Sequence, residues 1–266
     1  MDIDLKKCNP PFLVHSDIFR TARLIRKGLI KNPKKKHILH AHISYLENYF
    51  GAGNLIFPTF NYDFAKLKVL DVNNSESHVG VLTNYVLNLD DYNRTNTPIF
   101  SFAVNKKLNS LYSNTPYGKE SVFDKLFNEN GTIIFYGAGI DSCTYLHYVE
   151  SQYGPPRYRY DKTFTGMLLA EGNYSESQVS FHARPLGIEL VYDWNGLEQT
   201  LIDSGTVIPL ELNMFAVKAR DISKLWGDRI SDDDLSVLSD ECRPDIERRL
   251  MALGRRFVIS DFEGDN

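Results

Sequence analysis

Apolar and polar positions fall into blocks of two periods along the chain. Phe12-Leu13-Val14 is an apolar run closed by the polar pair His15-Ser16, the pattern of a buried strand opening into a loop. From Ile18 to Ile30 the apolar residues recur at helical spacing and predict a helix. The lysines of the 32–37 segment follow as a solvated turn. His40 to Phe50 predicts a second helix, stopped by the Gly51-Ala52-Gly53 turn. Asn54 to Phe60 reads as a second core strand ending at Pro58. A polar linker at Asn73–Ser77 precedes a helix expected over Val79–Leu89, and a loop from Arg94 runs into a third strand, Phe100–Val104.

In the second half, Ser121 to Asn128 predicts a serine-capped helix. Gly131 to Gly137 is the clearest strand of the chain, a β-rich apolar run between glycines. After Gly139, Asp141 to Glu150 predicts a helix with Asp141 or Ser142 as its N-cap. Gln178–Ala183 and Gly187–Tyr192 read as later strands, and Leu197–Ser204, Ala219–Trp226 and Asp245–Leu253 as helices. Strands alternating with helices place the chain in the α/β class, and 266 residues are expected to form one domain over 1–266.

Composition narrows the field without choosing a function. Hydrophobic residues make up 42% and charged residues 24%, which excludes bulk disorder. A net charge of −4 gives no electrostatic case for nucleic acid or for an anionic membrane surface. Cys8, Cys143 and Cys242 are far apart, odd in number and without CxxC spacing, so free thiols in a reducing compartment are expected. The start of the chain does not read as a signal peptide, and no apolar run approaches membrane-helix length, which together predict a cytoplasmic protein. His37, His40 and His42 are close but flank a lysine run; they are expected on a helix surface, and no metal is expected.

Candidate chemistry concentrates in Gly137 to Glu150. A strand ends, a glycine turn follows and a helix is expected to start, and in α/β sheets ligands bind beyond the carboxyl ends of strands. The first turn of such a helix offers free N–H groups to an oxyanion or phosphate. Thr144, His147 and Glu150 lie three apart, so on one helix they share a face, with His147 suited to proton transfer. On spacing alone, His147 reads equally as a packed helix residue. Gly137-x-Gly139 lacks the third glycine of a dinucleotide fingerprint. Cys143, four residues before His147, is a nucleophile candidate kept as the less expected reading.

Five segments occur in one order: Val14-His15-Ser16, Leu55 to Phe60 with its Pro58-Thr59-Phe60, Arg94 to Phe102, Tyr117 to Ser121, and Gly137 to Glu150 with Thr144-Tyr145-Leu146-His147 and Glu150. In this the chain resembles the aminoglycoside 3-N-acetyltransferase family, with a looser match in the C-terminal part through Arg184-Pro185 and Tyr192-Asp193-Trp194. The resemblance implies a central mixed β-sheet flanked by helices, and direct transfer of an acyl group from acetyl-CoA or another acyl-CoA to an amine. It implies His147 as general base, Thr144 as a hydroxyl near the thioester carbonyl, and a later acidic residue orienting the histidine, assigned to Asp193 with Glu189 in reserve. His15, Ser16, Arg94 and Ser101 are expected to contact acyl-CoA. Thr59, Phe60 and Glu150 are expected along the acceptor groove, with the aromatics from Tyr153 to Tyr160 and Phe164 as walls for a sugar ring.

The departures bear on the acceptor. Thr97-Pro98 stands where antibiotic-modifying members have His-Pro, and Cys143 where many have Asn. Polycationic antibiotics need clustered carboxylates, and Asp63, Asp90, Asp91 and Glu150 are dispersed in sequence. An amino sugar or sugar nucleotide is therefore the expected acceptor, an aminoglycoside the first alternative and a non-catalytic CoA- or sugar-binding relative the second. The expected assembly is a monomer or homodimer.

Overall fold

The computed structural model describes residues 4–21, 35–111 and 113–264. The strands β1 (Phe12–Ser16), β2 (Leu55–Pro58), β3 (Val69–Asp71), β4 (Tyr92–Arg94), β5 (Phe102–Asn105), β6 (Thr132–Tyr136), β7 (Tyr160–Ala170), β8 (Asn173–Ala183), β9 (Ile208–Pro209) and β10 (Phe215–Lys218) form two sheets. The larger has seven strands in the order β4-β5-β2-β1-β6-β10-β9, and the smaller has the order β3-β7-β8. In the larger, β1 runs parallel to both β2 and β6, while β5, β4, β10 and β9 add antiparallel neighbours, which makes the sheet mixed. The helices are α1 (Ile18–Thr21), α2 (Lys35–Phe50), α3 (Phe64–Leu67), α4 (Val81–Val86), α5 (Val122–Asn128), α6 (Leu146–Gln152), α7 (Trp194–Asp203), α8 (Ala219–Asp232) and α9 (Arg243–Leu253). Among the described residues no helix is long and apolar enough to cross a membrane.

The runs read as central strands are buried on both faces, as parallel strands covered by helices must be. Their period of two sends alternate residues to opposite layers. Leu13, Ile133, Phe135 and Val217 face a core with Phe123, Leu146, Leu197 and Trp226. Phe12, Val14, Ile134 and Tyr136 face another with Ile43, Leu46, Leu82 and Val86. Helices α5, α6, α7 and α8 thus cover one face of the sheet and α2 and α4 the other. Ser121 caps α5, its hydroxyl accepting from Asp124 N at 3.1 Å.

Several expectations are corrected. The helix expected over Ile18–Ile30 is seen from Ile18 to Thr21; residues 22–34 lie outside the described residues, as does part of the 32–37 lysine segment. Lys35 already begins α2, so the end of that segment is helix rather than turn. On α2, His42 is buried, its Nδ1 2.6 Å from the Tyr136 hydroxyl, instead of lying on the surface. The segment Gly187–Tyr192 is no strand: its backbone makes only an isolated bridge, Tyr192 to Leu238. Its apolar residues Leu190 and Tyr192 are buried in the core without sheet pairing.

The expected strand Gln178–Ala183 is the end of a longer arm. β7 and β8 pair in register from Tyr160↔Ala183 to Ala170↔Asn173 around a two-residue turn, Glu171-Gly172. Both turn residues have positive φ, 51° and 76°, as a type I′ hairpin requires. β3 joins this arm through β7, over a small core of Phe64, Leu70, Ile99, Leu168 and Val179.

Candidate active site

Strands β1 and β6 end side by side, with Ser16 paired to Tyr136 and bridged to Gly137. Gly137 turns the chain with φ +71°, and a Cβ there would lie 2.5 Å from Asp17 O and 2.6 Å from the Thr21 methyl. No other residue fits this close approach. The helix expected from Asp141 to Glu150 is then split. Ile140–Ser142 is one 3₁₀ turn, Cys143 leaves the helical region at φ −71°, ψ 89°, and α6 starts at Leu146. Thr144 therefore sits in the break, not on the helix face; its carbonyl accepts from His147 N at 3.2 Å. The Thr144 hydroxyl oxygen is buried and has no hydrogen-bond partner. Cys143 is buried and burial pushes its thiol up to about 12, which argues against a thiolate nucleophile.

His147 and Glu150 occupy one face of the first turns of α6. Nδ1 of the ring lies 3.0 Å from Glu150 Oε2, while a third of the side chain stays exposed. Glu150 is itself buried and fully engaged. Its Oε1 accepts from the Tyr158 hydroxyl at 2.5 Å and from the Tyr192 hydroxyl at 2.7 Å. Arg159, also buried, places Nε 3.8 Å from Oε2 and donates to the Tyr192 oxygen at 2.5 Å and to His182 O at 3.0 Å. Burial alone would raise the Glu150 carboxyl, but Arg159, His147 and Tyr158 outweigh it and hold it at about 2. A carboxylate that is ionised at any working pH thus fixes the imidazole so that Nδ1–H donates to it, and we assign Nε2 as the free acceptor.

His147 and Glu150 form one wall of a cavity of ≈ 360 Å³. Arg159 and Arg184 bring positive charge to it, His182 an imidazole whose pKa burial lowers, and Tyr62, Phe100, Tyr117 and Phe181 bring rings. Phe100 is aimed by an unusual backbone. Ile99 has φ +67°, rare for a β-branched residue, and Phe100 N closes a tight turn onto Pro98 O at 2.8 Å. Strain of this kind, of order 1–3 kcal/mol, concentrates where a side chain must be placed against packing preference. His182 is held by Asp161 at 2.6 Å, and Asp161 also takes Arg256 at 3.0 Å.

The other residues singled out from sequence are distributed as follows. Asp193 does not reach His147. Its carboxylate caps α7, accepting from Gly196 N at 2.9 Å, and pairs with Arg229 at 2.7 Å. Glu189 is exposed. The carboxylate on His147 is Glu150, which had been expected to meet the acceptor. Arg94 is buried and spends its donors internally, on Ser101 Oγ at 2.9 Å, Thr59 O at 2.7 Å and Ser75 O, so it does not present a guanidinium to CoA phosphates. Ser101 is buried in the same knot, its hydroxyl donating to Thr59 O at 2.8 Å. Thr59 is buried there too, and Phe60 lies in the core behind the cavity, edge-on to Phe100 at 5.2 Å. These motif residues brace the turn that carries Phe100. His15 is buried on Phe135 with Nε2 unpartnered, and burial lowers it to about 4, so it is neutral and offers no charge to a phosphate. Ser16 is half-buried at the strand end.

Of the aromatics expected as walls for a sugar ring, Tyr158 and Tyr160 are buried in the core, and none of Tyr153, Tyr158, Tyr160 and Phe164 lines the cavity. Tyr158 instead donates to Glu150. Sequence reasoning missed Arg159 and His182, which do line it. The signal was present in the alternation of Tyr158-Arg159-Tyr160 and in the second strand of the hairpin, which only the full β7–β8 pairing makes readable. Among the described residues no cluster could hold a metal ion.

The sequence profile of the aminoglycoside 3-N-acetyltransferase family matches residues 14–191. No curated sequence matches the chain. Among solved structures, the aminoglycoside acetyltransferase AAC(3)-IVa apoenzyme is 18% identical with TM-score 0.66, covering 90% of each chain. The binary complex of AAC-IIIb with CoASH is 16% identical with TM-score 0.68, covering 86% of this chain and 94% of that one. The YokD protein from Bacillus subtilis is 13% identical with TM-score 0.65, covering 87% and 93%. These likenesses give the fold, a mixed α/β sheet flanked by helices, and the profile match over most of the chain gives the family. The chain belongs to the aminoglycoside 3-N-acetyltransferase family and is an acyl-CoA-dependent N-acyltransferase.

Proposed function

We propose that the enzyme acylates the amino group of an amino sugar or sugar nucleotide, with His147 as general base. The observation that carries this reading is the His147–Glu150 couple on the cavity wall: a buried carboxylate locks the imidazole and leaves one nitrogen free. The amine of the acceptor attacks the thioester carbonyl carbon, and its proton passes to His147 Nε2. The tetrahedral intermediate collapses, the C–S bond breaks, and His147 returns the proton to the departing CoA sulfur. Glu150 stabilises the imidazolium between the two steps, as a carboxylate does in a catalytic triad. The unpartnered Thr144 hydroxyl supports a role as donor to the carbonyl oxygen, where negative charge develops. The unpartnered His15 Nε2, at the end of β1, supports a contact to the uncharged pantetheine arm. Three free, buried cysteines are in keeping with a cytoplasmic enzyme drawing on the acyl-CoA pool.

An aminoglycoside acceptor is the second reading, favoured by the family itself. A thiol-release assay with acetyl-CoA and a panel of amino sugars, nucleotide-linked amino sugars and aminoglycosides separates the two. His147→Ala is expected to lower kcat by about 10²–10⁴-fold with an unchanged melting temperature. Near-normal turnover by that variant would remove His147 from the role of base.

A further inference from the structure

The charges around the cavity do not cancel. Glu150 is satisfied from within the wall by His147, Tyr158, Tyr192 and Arg159. Asp161 is shared by His182 and Arg256. Asp63, next to the wall residue Tyr62, is taken by His78 at 3.3 Å. Each of these carboxylates thus already has a protein partner, Arg159 for Glu150, Arg256 for Asp161 and His78 for Asp63. Arg184 is different. It is exposed on the cavity wall just beyond the end of β8, and among the described residues no carboxylate pairs with it. Its electrostatic neighbour is the phenol of Tyr62 on the same wall.

A polycation entering this cavity finds no free carboxylate and meets a guanidinium. An acceptor bearing an anion finds a planar fork of donors shaped for a phosphate or carboxylate, in a concavity that strengthens the attraction. The rings of Tyr62, Phe100 and Tyr117 flank the remaining space. We propose that Arg184 anchors an anionic oxygen group, phosphate or carboxylate, on the amine-bearing acceptor, so that the substrate class is an anionic amino sugar rather than a polycationic aminoglycoside. This rests on the reading of His147 as the base facing the same cavity, and it fixes the acceptor's charge, which that reading leaves open.

The test uses the intact enzyme, acetyl-CoA and four acceptors: glucosamine, glucosamine 6-phosphate, muramic acid and kanamycin. Thiol release gives turnover, and calorimetry with the same four compounds gives binding. Wild type is expected to favour the phosphate- or carboxylate-bearing sugar over glucosamine by at least about tenfold, less so as salt is raised. The two anionic sugars together tell which group is read. Arg184→Gln is expected to abolish the preference and Arg184→Lys to keep part of it, each leaving the KM for acetyl-CoA unchanged. Preference for kanamycin, equal or undetectable binding of all four, or a raised acetyl-CoA KM in Arg184→Gln would each overturn the proposal. Turnover of kanamycin or glucosamine alone would overturn it while leaving N-acyl transfer intact. Anion-selective, Arg184-dependent binding with no thiol release from any acceptor would uphold it and overturn the transfer reading.

Discussion

Glu150 shows how one side chain can be both scaffold and electrostatic partner. Four groups converge on a carboxylate that burial alone would protonate. Removing its charge leaves Arg159 buried without its counter-ion, so Glu150→Gln is expected to cost about 3–5 kcal/mol of stability, measured by urea unfolding. The sign of the pH dependence follows from the depressed folded value. The contribution is complete above the ordinary carboxylate value of 4.5 and is lost as pH falls through the folded value of about 2. A melting series over that window should fall more steeply for wild type than for Glu150→Gln. His15 carries the opposite charge type but titrates stability in the same direction. The unfolded chain takes up a proton below the ordinary histidine value of 6.5, whereas the buried ring resists until about 4. Wild type should therefore lose stability between pH 6.5 and pH 4, and His15→Leu should flatten that part of the curve.

At this scale the sequence was legible where spacing alone fixes proximity. His147 and Glu150 are three apart and do meet. Asp193 was misread because its partner lies in a distant helix; its own local pattern, Asp followed three residues later by Gly196 at a helix start, is that of an N-cap. Arg94, Ser101 and Thr59 are family-motif residues whose burial no local pattern reveals.

Among elements, the strands with unbroken apolar runs were readable because burial on both faces demands them. The β7–β8 arm was not, because its exposed faces carry polar residues and half of its apolar positions are only partly buried. Its turn was nonetheless marked by Gly172 followed by Asn173. The helix expected from Asp141 failed at Cys143, where tertiary packing of a small buried residue overrides continuity. The junction between β6 and this break depends on Gly137. Gly137→Ala would force a Cβ against the Asp17 carbonyl in a left-handed conformation. It is expected to lower stability by about 1–3 kcal/mol in urea unfolding and to reduce kcat through displacement of Thr144 and His147.

Over the whole molecule, the order of five short motifs carried more information than any one of them, because a fold fixes which strand ends are neighbours. The mixed sheet brings the ends of β1 and β6 together across more than a hundred residues of chain. Net charge, by contrast, misleads about the site. The chain is acidic overall at −4, yet the cavity wall holds an unmatched guanidinium. Charge is a property of surfaces taken piece by piece, and only the folded arrangement shows which carboxylates are already spent.

The cavity draws on several parts of the chain, with Tyr62, Phe100 and Tyr117 coming from connecting loops. The imidazole and its carboxylate come from α6, on the large sheet, while Phe181, His182 and Arg184 come from the foot of the hairpin. On the proposals above, the proton-transfer couple and the acceptor-reading arginine lie in separate stretches of the sequence. A randomised library confined to positions 181, 182 and 184 should accordingly yield variants with altered acceptor choice far more often than inactive ones.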